Sequence, residues 1–495
     1  MATPPPASQA QISRGVAWAG AAQAIIAIAD LVSQALVLAL FVSFTDYGIA
    51  GLALAFYYVL DTAADLGVTS AVIQRDDHTP EKLSTVFWFN VLLSGGLFVV
   101  LLGLGPLYGH LVGYPIVGWL LIAYGGKLLF QNVYAIPFAL LKKDLRFDEI
   151  AKARTLAHVC ESIARVAFAA AGATIWCFTL AALVRVVVFG VFIQARHPFL
   201  PRWVFRPREV IDYIKFGVRS GTSQILYQLY VNLDYAVVGA YFGAKAVGAY
   251  KLAYEIVLEP VRSITNVVSD VAFPTFARLR HEPARLAAQL TRFIRLNFTT
   301  VLPFLVVIAL LADSLVLVFS HHQTPEDLVL AADCCRILCF VGIVRAVGFL
   351  GPPLLDGIGH PERTLRYMVF SALWMPAAFA LGASVLGGEL GARAVAIAWA
   401  VGYPLAFALL VYLVRRSIGL RLTEVARACA GVIACSLAGL AVGLGARVLT
   451  ADLPTAARLA IVGGAAAVTI VGLLVGWQGM RWSAIKASMR NDAAP

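Results

Sequence analysis

Lys251, Glu255, Glu259, Arg262, Asn266 and Asp270 follow one another at steps of 4, 4, 3, 4 and 4, which keeps all six on one face of an α-helix. Apolar residues surround them, so this polar stripe belongs to a helix otherwise suited to lipid and must look into a cavity or a polar seam between helices. Lys251 with Glu255, and Glu255 with Glu259, are i,i+4 neighbours, so part of the charge is placed to neutralise itself. Further ionisable residues interrupt apolar runs elsewhere: Asp30, Asp61, Asp65, Lys127, Glu161, Arg165, Arg185, Asp234, Asp333, Arg336 and Arg345. An Asp, Lys or Arg at a bilayer centre costs about 2.5–3.5 kcal/mol on insertion scales, so such residues face protein or water.

Two kinds of chemistry follow from these types. Arg185, Lys127 and Arg262 near mid-span, with Arg165, Arg345 and Lys251, form a set of cations able to attract phosphate, which Arg grips through two parallel hydrogen bonds. The competing reading is internal pairing: Arg165 with Glu161 one turn earlier, Arg262 with Glu259 or Asp270, and Arg185 with an Asp of a neighbouring helix. Asp61 and Asp65 share a helix face with Tyr57 and Tyr58 close by, which suits exchange of a proton or cation, and Asp30, Asp234, Glu255 and Glu259 are further candidates for ion coupling. A carboxylate pair that is merely solvated, or bound to Lys127, is the plain alternative. Paired His321 and His322, without further ligands, do not make a metal site, and no metal or cofactor is expected.

These residues need apolar helices to position them, and the chain supplies them. Of its 495 residues 60% are hydrophobic, and mean hydropathy is +0.81; apolar stretches of about 20 residues, long enough to cross roughly 30 Å of hydrocarbon, recur throughout. A β-barrel would show short alternating segments instead. The net charge of +11 does not indicate nucleic acid, because the basic residues lie in short segments between apolar runs rather than on one folded face. All seven Cys fall within apolar stretches without metal-ligand spacing. The N-terminal MATPPPASQAQISRG lacks the charged start of a cleaved signal, so the first span is expected to be retained.

The pattern predicts an all-α integral membrane protein with about 14 transmembrane helices, starting near residues 16, 47, 83, 113, 150, 174, 217, 247, 290, 327, 364, 391, 424 and 456. With both termini cytoplasmic, 28 of the 39 Lys and Arg fall inside, 4 outside and 7 within spans, a bias that sets orientation. Basic stretches 208–215 and 278–295 read as orientation signals and linkers, or as surface helices binding anionic membrane lipids.

An internal repeat organises the spans. FVSFTDYGIAGLALA from Phe41 aligns with YFGAKAVGAYKLAYE from Tyr241, each carrying G-x-x-x-L-A at Gly48, Leu52, Ala53 and at Gly248, Leu252, Ala253. This predicts a cytoplasmic segment (1–15), an N-lobe of six helices (16–196), a basic linker or interfacial helix (197–216), a C-lobe of six helices (217–414), two further helices with their preceding loop (415–480) and a cytoplasmic tail (481–495). Repeats of this kind place a substrate path between halves that rock around a midplane site. The chain has no G-x-x-x-x-G-K-[ST] phosphate loop, and its outer loops are too short to carry catalytic groups.

The run NLDYAVVGAYFGAKAVGAYKLAYEIVLEPVRSITNVVSDVAFPTFARLR from Asn232 resembles Wzx-type polysaccharide flippases of the multidrug, oligosaccharidyl-lipid and polysaccharide exporter superfamily. GVAWAGAAQ, YGIAGLALA, SAVIQRDDHTPEKLSTVFWFN, PFALLKKDLRFDEIA and LLDGIGHPERTL carry the same resemblance, which spans residues 13 to about 420. GATIWCFTLAALV from Gly172 departs from it, matching the family's Gly-rich turn only at Gly172 and Trp176. The resemblance implies two pseudo-symmetric six-helix lobes plus two helices, a MATE/MOP-like fold. It also implies translocation of undecaprenyl-diphosphate-linked oligosaccharide across the bacterial inner membrane, with a polysaccharide polymerase and a chain-length regulator as partners and no enzymatic role. A cation-coupled drug or small-solute exporter of the same fold, and a membrane enzyme of polysaccharide assembly, are the alternatives. Reporter fusions are expected to place Lys142, Arg206 and Arg280 inside and Thr45, His110 and His321 outside; a periplasmic signal at Arg206 overturns this topology, because an error there shifts every later span.

Overall fold

A computed structural model describes residues 9–65, 72, 79–144, 146–319 and 323–477. The side chains of Arg14, Asp65 and Asp270, together with Arg75, His321, His322 and the basic tail, lie outside the described residues. All regular structure among the described residues is helical: α1 (Gln9–Leu40), α2 (Phe44–Asp65), α3 (Pro80–Leu111), α4 (Pro115–Lys143), α5 (Phe147–Ala170), α6 (Cys177–Arg196), α7 (Pro207–Arg278), α8 (Pro283–Phe319), α9 (Pro325–Gly348), the short α10 (Gly351–Gly357), α11 (Pro361–Leu390), α12 (Arg393–Ile418), α13 (Leu422–Leu449) and α14 (Thr455–Gly476). Several begin on a proline, whose missing N–H is no loss in a first turn. At α3 the Oγ of Thr79 also accepts from the Lys82 N–H. Gly391 and Gly419, both at positive φ, stop α11 and α12.

Among the described residues nine helices are long and apolar enough to cross a membrane: α2, α3, α4, α6, α8 and α11 to α14. Large side chains on their outer faces, such as Leu373, Val385, Val448 and Val468, are exposed, as lipid contact requires. Outside that set stand α5, α7 and α9, which carry Glu161 and Arg165, the 251–262 stripe, and Asp333, Arg336 and Arg345. Candidate residues thus stand on helices of both kinds, since Asp61, Lys127 and Arg185 belong to the apolar helices α2, α4 and α6. Stretch 208–215 lies at the start of α7, and stretch 278–295 runs from the last residue of α7 through the first turns of α8.

The chain divides into two compact units, residues 1–248 with 319–323, and residues 249–318 with 324–495. In the first unit α1 packs on α5, α5 on α6, α3 on α4, and α4 on both α2 and α6. The segment after α6 is strapped to the start of α3. Ser84 Oγ accepts from the Arg202 N–H at 3.0 Å, Trp88 Nε1 donates to the Arg202 carbonyl at 2.9 Å, and the Trp88 and Trp203 rings stack at 4.6 Å. A basic stretch that composition marks as a linker is thus held by hydrogen bonds that satisfy its backbone.

Two glycines of the sequence repeat meet in this unit. α7 is interrupted at Gly243 (φ 80, ψ 172), leaving helical segments 207–242 and 244–278. A Cβ on Gly48 would strike the Ala244 carbonyl, and a Cβ on Gly248 would strike the Phe44 carbonyl. With 44 and 48 aligned to 244 and 248, the contact is reciprocal: each segment presents its glycine to the carbonyl one turn back in the other. The first amides of both segments are capped alike. The Phe44 N–H donates to Gln323 Oε1 at 3.2 Å and the Ala244 N–H to Tyr114 Oη at 3.1 Å, and Tyr114 and Gln323 stand just before α4 and α9 respectively. Helix ends away from water need such partners for their free N–H groups.

In the second unit α9 and α11 pack on α12, as α4 and α5 pack on α6 in the first. α13 and α14 close on α8 through Leu302, Val432, Cys435 and Ile470, and through Leu310, Leu311, Val462 and Ala466. In the LLDGIGHPERTL segment, Asp356 accepts from Thr364 Oγ1 at 2.6 Å, and burial pushes its carboxyl pKa up from the ordinary value. Gly48→Ala and Gly248→Ala are expected to lower the melting temperature in detergent, since neither backbone can yield without separating the segments and overpacking costs about 1–3 kcal/mol or more. Gly95→Ala, whose Cβ meets nothing within 4 Å, serves as the neutral control; equal melting of Gly48→Ala and wild type contradicts the close-contact reading.

Candidate functional site

The first unit gathers its charges where α1, α5 and α6 meet. His158, Glu161 and Arg165 lie on one face of α5 at spacings of 3 and 4. Glu161 is the hub: Arg185 NH1 of α6 donates to its Oε2 at 3.0 Å, and Arg165 NH2 stands 3.7 Å from Oε1. Arg165 NH2 is also 3.6 Å from Asp30 Oδ1 on α1, while its NH1 donates to Ser33 at 3.1 Å and to Gln34 at 3.4 Å. Ser162 donates to Asp30 at 3.2 Å. Opposite charges about 4 Å apart attract by about 4 kcal/mol at an effective dielectric near 20, so this cluster binds three helices together.

A second group stands beside it. Asp61 accepts from Tyr57 Oη at 2.5 Å and from Gln131 Nε2 at 2.8 Å. The Lys127 ammonium sits over the Tyr57 ring at 4.6 Å, and that ring stacks on Tyr124 at 4.7 Å. Lys127 and Arg185 repel one another, while Asp61 and Glu161 attract Lys127. Among the described side chains three carboxylates, Asp30, Asp61 and Glu161, therefore face three cations, Lys127, Arg165 and Arg185. Access separates the cations: Arg185 keeps 31% of its side chain exposed and Arg165 11%, whereas Lys127 is 5% exposed as a residue. Arg185 is the most exposed of the three cations.

In the second unit the stripe on α7 pairs along itself. Lys251 bridges to Glu255, and Arg262 NH2 to Glu259 Oε2 at 2.6 Å, with both partners of the latter about two-fifths exposed. Arg345 is 2% exposed; it donates to Tyr254 Oη at 2.7 Å and lies over the rings of Phe349 at 5.2 Å and Trp399 at 5.0 Å. A further network joins four helices: Arg336 to Asp313 at 2.5 Å and to Asp333 at 3.0 Å, Arg393 to Asp333 at 2.8 Å, and Arg447 to Asp313. It ties α8, α9, α12 and α13. Asp234, on the first segment of α7, is fully buried and accepts from the Tyr235 N–H at 2.8 Å.

The sequence candidates thus fall into separate groups: Asp30, Asp61, Lys127, Arg165 and Arg185 in the first unit, and Lys251, Glu255, Glu259, Arg262 and Arg345 in the second. Arg185 meets Glu161, not an aspartate, and Asp61 is held by Tyr57 and Gln131, with Lys127 over the tyrosine ring. His158 was not among the candidates, although its spacing from Glu161 and Arg165 was visible in the sequence. Side-chain donors of Asp30, His158 and Glu161 lie within 4.8 Å of one another, but the guanidiniums of Arg165 and Arg185 already balance these carboxylates, and a dication there would meet two fixed positive charges.

Comparison with known proteins agrees with this architecture. The family model described as polysaccharide biosynthesis protein matches residues 37–323. The chain belongs to the polysaccharide biosynthesis protein family. Curated relatives of this family member include the lipopolysaccharide biosynthesis protein WzxC of Escherichia coli, 27% identical over 80% of this chain and 77% of the relative. The teichuronic acid biosynthesis protein TuaB of Bacillus subtilis is 26% identical over 69% and 70%, and the succinoglycan biosynthesis transport protein ExoT of Rhizobium meliloti 24% over 70% and 69%. Among solved structures, the lipid II flippase MurJ in an inward closed conformation matches with a TM-score of 0.73 and 15% identity, covering 93% of this chain and 99% of that one. An inward-facing multidrug resistance MATE transporter of the MOP superfamily matches at 0.62 with 20% identity, over 80% and 94%. The family member is a multi-pass membrane protein that shares its fold with both of these structures.

Proposed function

We propose that this protein is a flippase of the bacterial inner membrane that carries undecaprenyl-diphosphate-linked oligosaccharide repeat units to the outer leaflet by alternating access. The chain crosses the membrane about fourteen times with both termini inside, as the distribution of Lys and Arg favours. The single observation that carries the reading is Arg185, a guanidinium whose side chain stays 31% exposed inside an apolar bundle that also holds Lys127 and Arg165. The names of the relatives, WzxC, TuaB and ExoT, point to polysaccharide assembly and transport, and the fold is shared with a lipid II flippase. A diphosphate leaving water for such a bundle needs compensating positive charge, while its polyprenyl tail loses nothing by staying in lipid. Arg262, paired with Glu259 yet well exposed, is the corresponding candidate in the second unit. Asp61 and Asp65, with Asp30, Asp234, Glu255 and Glu259, remain the candidates for ion coupling, and a polymerase and chain-length regulator the candidate partners.

A hydrogen bond to a charged group contributes about 1.5–3 kcal/mol, so Arg185→Ala is expected to weaken binding of a polyprenyl diphosphate oligosaccharide roughly ten- to a hundredfold. Arg185→Lys restores part of the loss, keeping the charge without the fork. Because Arg185→Ala strands Glu161, the double variant Arg185→Ala/Glu161→Gln supplies the charge-balanced control. Affinity measured on purified protein at matched folding decides the matter: equal affinities for wild type and both alanine variants remove Arg185 from the substrate site.

A further inference from the structure

Glu161 Oε2 is claimed by two groups at once. Arg185 NH1 donates to it at 3.0 Å, and His158 Nδ1 stands 3.5 Å from the same oxygen and 3.4 Å from Asp30 Oδ2. His158 Nδ1 is buried, and it has no hydrogen bond of good geometry to either carboxylate. An imidazole is the side chain whose charge changes nearest neutral pH, and this one stands against the carboxylate that holds Arg185. Asp30 of α1 and Glu161 of its own helix face His158 directly, with Arg165 bridging the same two carboxylates. Around Arg185 and Glu161 stand Lys127, Tyr124 and Tyr134 of α4 and Tyr57 and Tyr58 of α2, and Asp61 of α2 interacts with Lys127.

We infer that His158 is a protonation switch that sets how tightly Glu161 holds Arg185, and through it whether Arg185 is available to an anionic ligand. The inference rests on the diphosphate reading of Arg185 and adds the regulation of that site. With neutral His158 the three carboxylates and three cations balance, and Glu161 Oε2 belongs to Arg185. A proton taken from solvent onto the ring, at whichever nitrogen receives it, brings a full positive charge to within 3.5 Å of that oxygen. The imidazolium then competes for Glu161 and repels Arg185, and the cluster carries one charge more than its carboxylates offset. An anion binding to Arg185 restores the balance. Conversely, an anion that draws Arg185 away leaves Glu161 short of a cation and pulls a proton onto His158. The two equilibria are linked and reinforce one another by the same factor. His158 acts through Glu161 and is a positioning residue; Arg185 makes the contact with the ligand.

The probe is an undecaprenyl diphosphate sugar in detergent. As a diphosphate diester it has no proton to lose between pH 6 and 8, unlike a phosphate monoester, whose second proton titrates near ~6. Wild-type protein is expected to bind it roughly tenfold more tightly at pH 6 than at pH 8, with uptake of part of a proton on binding. His158→Gln removes that slope. A wild type that binds without a slope, or His158→Gln with the wild-type slope, overturns the inference and leaves the diphosphate reading standing. Failure of the wild type to bind at any pH counts against the diphosphate reading, and a ligand-free measurement still decides the switch. In ¹³C-histidine spectra of the ligand-free protein, recorded at a single pH, the His158 signals are expected to differ between wild type and Arg185→Gln, because the imidazole and the guanidinium share Glu161. Identical His158 signals show that they do not share it.

Discussion

A carboxylate inside an apolar helix bundle must be matched by cations, and the sharing of Glu161 between Arg185 and Arg165 is the interaction on which the first unit is arranged. Desolvating a charge costs several kcal/mol even after relaxation, so α1, α5 and α6 are held where their side chains can complete the cluster. Arg165 reaches Asp30, Ser33 and Gln34 on α1 while Arg185 reaches Glu161 from α6. Such neutrality is economical for insertion and also poised: a bundle with balanced internal charge admits an anion only if one internal pair gives way. Arg185 is the most exposed member, and if it gives way Glu161 is left to Arg165, 3.7 Å away.

The same constraint governs helix ends. Where the Phe44 and Ala244 amides lack a partner in their own segments, Gln323 and Tyr114 supply one, and the Gly48 and Gly248 backbones close to a distance that no side chain tolerates. Close approach by glycine and reciprocal capping are complementary means of holding polar backbone away from water. In the second unit helices are joined instead by ion pairs, where Asp313 and Asp333 collect Arg336, Arg393 and Arg447.

Much of this was legible in the sequence, for stated physical reasons. Period and length marked the apolar helices, because a membrane forbids any other spanning backbone in a chain without alternating strands. The G-x-x-x-L-A repeat marked Gly48 and Gly248 as equivalent, and the steps along α7 marked a polar face on which Lys251 pairs with Glu255 and Arg262 with Glu259. Partners on different helices were not legible. Lys127 was a candidate partner for Asp61, but the carboxylate is held by Tyr57 and Gln131 while the ammonium lies over the Tyr57 ring. Arg393 and Arg447 read as loop charges in the sequence, whereas the fold sets them beside Asp333 and Asp313. His158 shares a helical register with Glu161, but a single histidine carries little weight in a hydropathy profile.

The central claim is that the interior cations serve the diphosphate of a lipid carrier. Purified protein in liposomes containing a labelled undecaprenyl diphosphate oligosaccharide tests it most directly, with the label on the far leaflet scored by protection from an added glycosidase. The account predicts transfer of the diphosphate-linked glycan well above that of the same glycan on an uncharged polyprenol, since only the former engages Arg185. Transfer of both at equal rates, or of neither by protein shown to be folded, would contradict it.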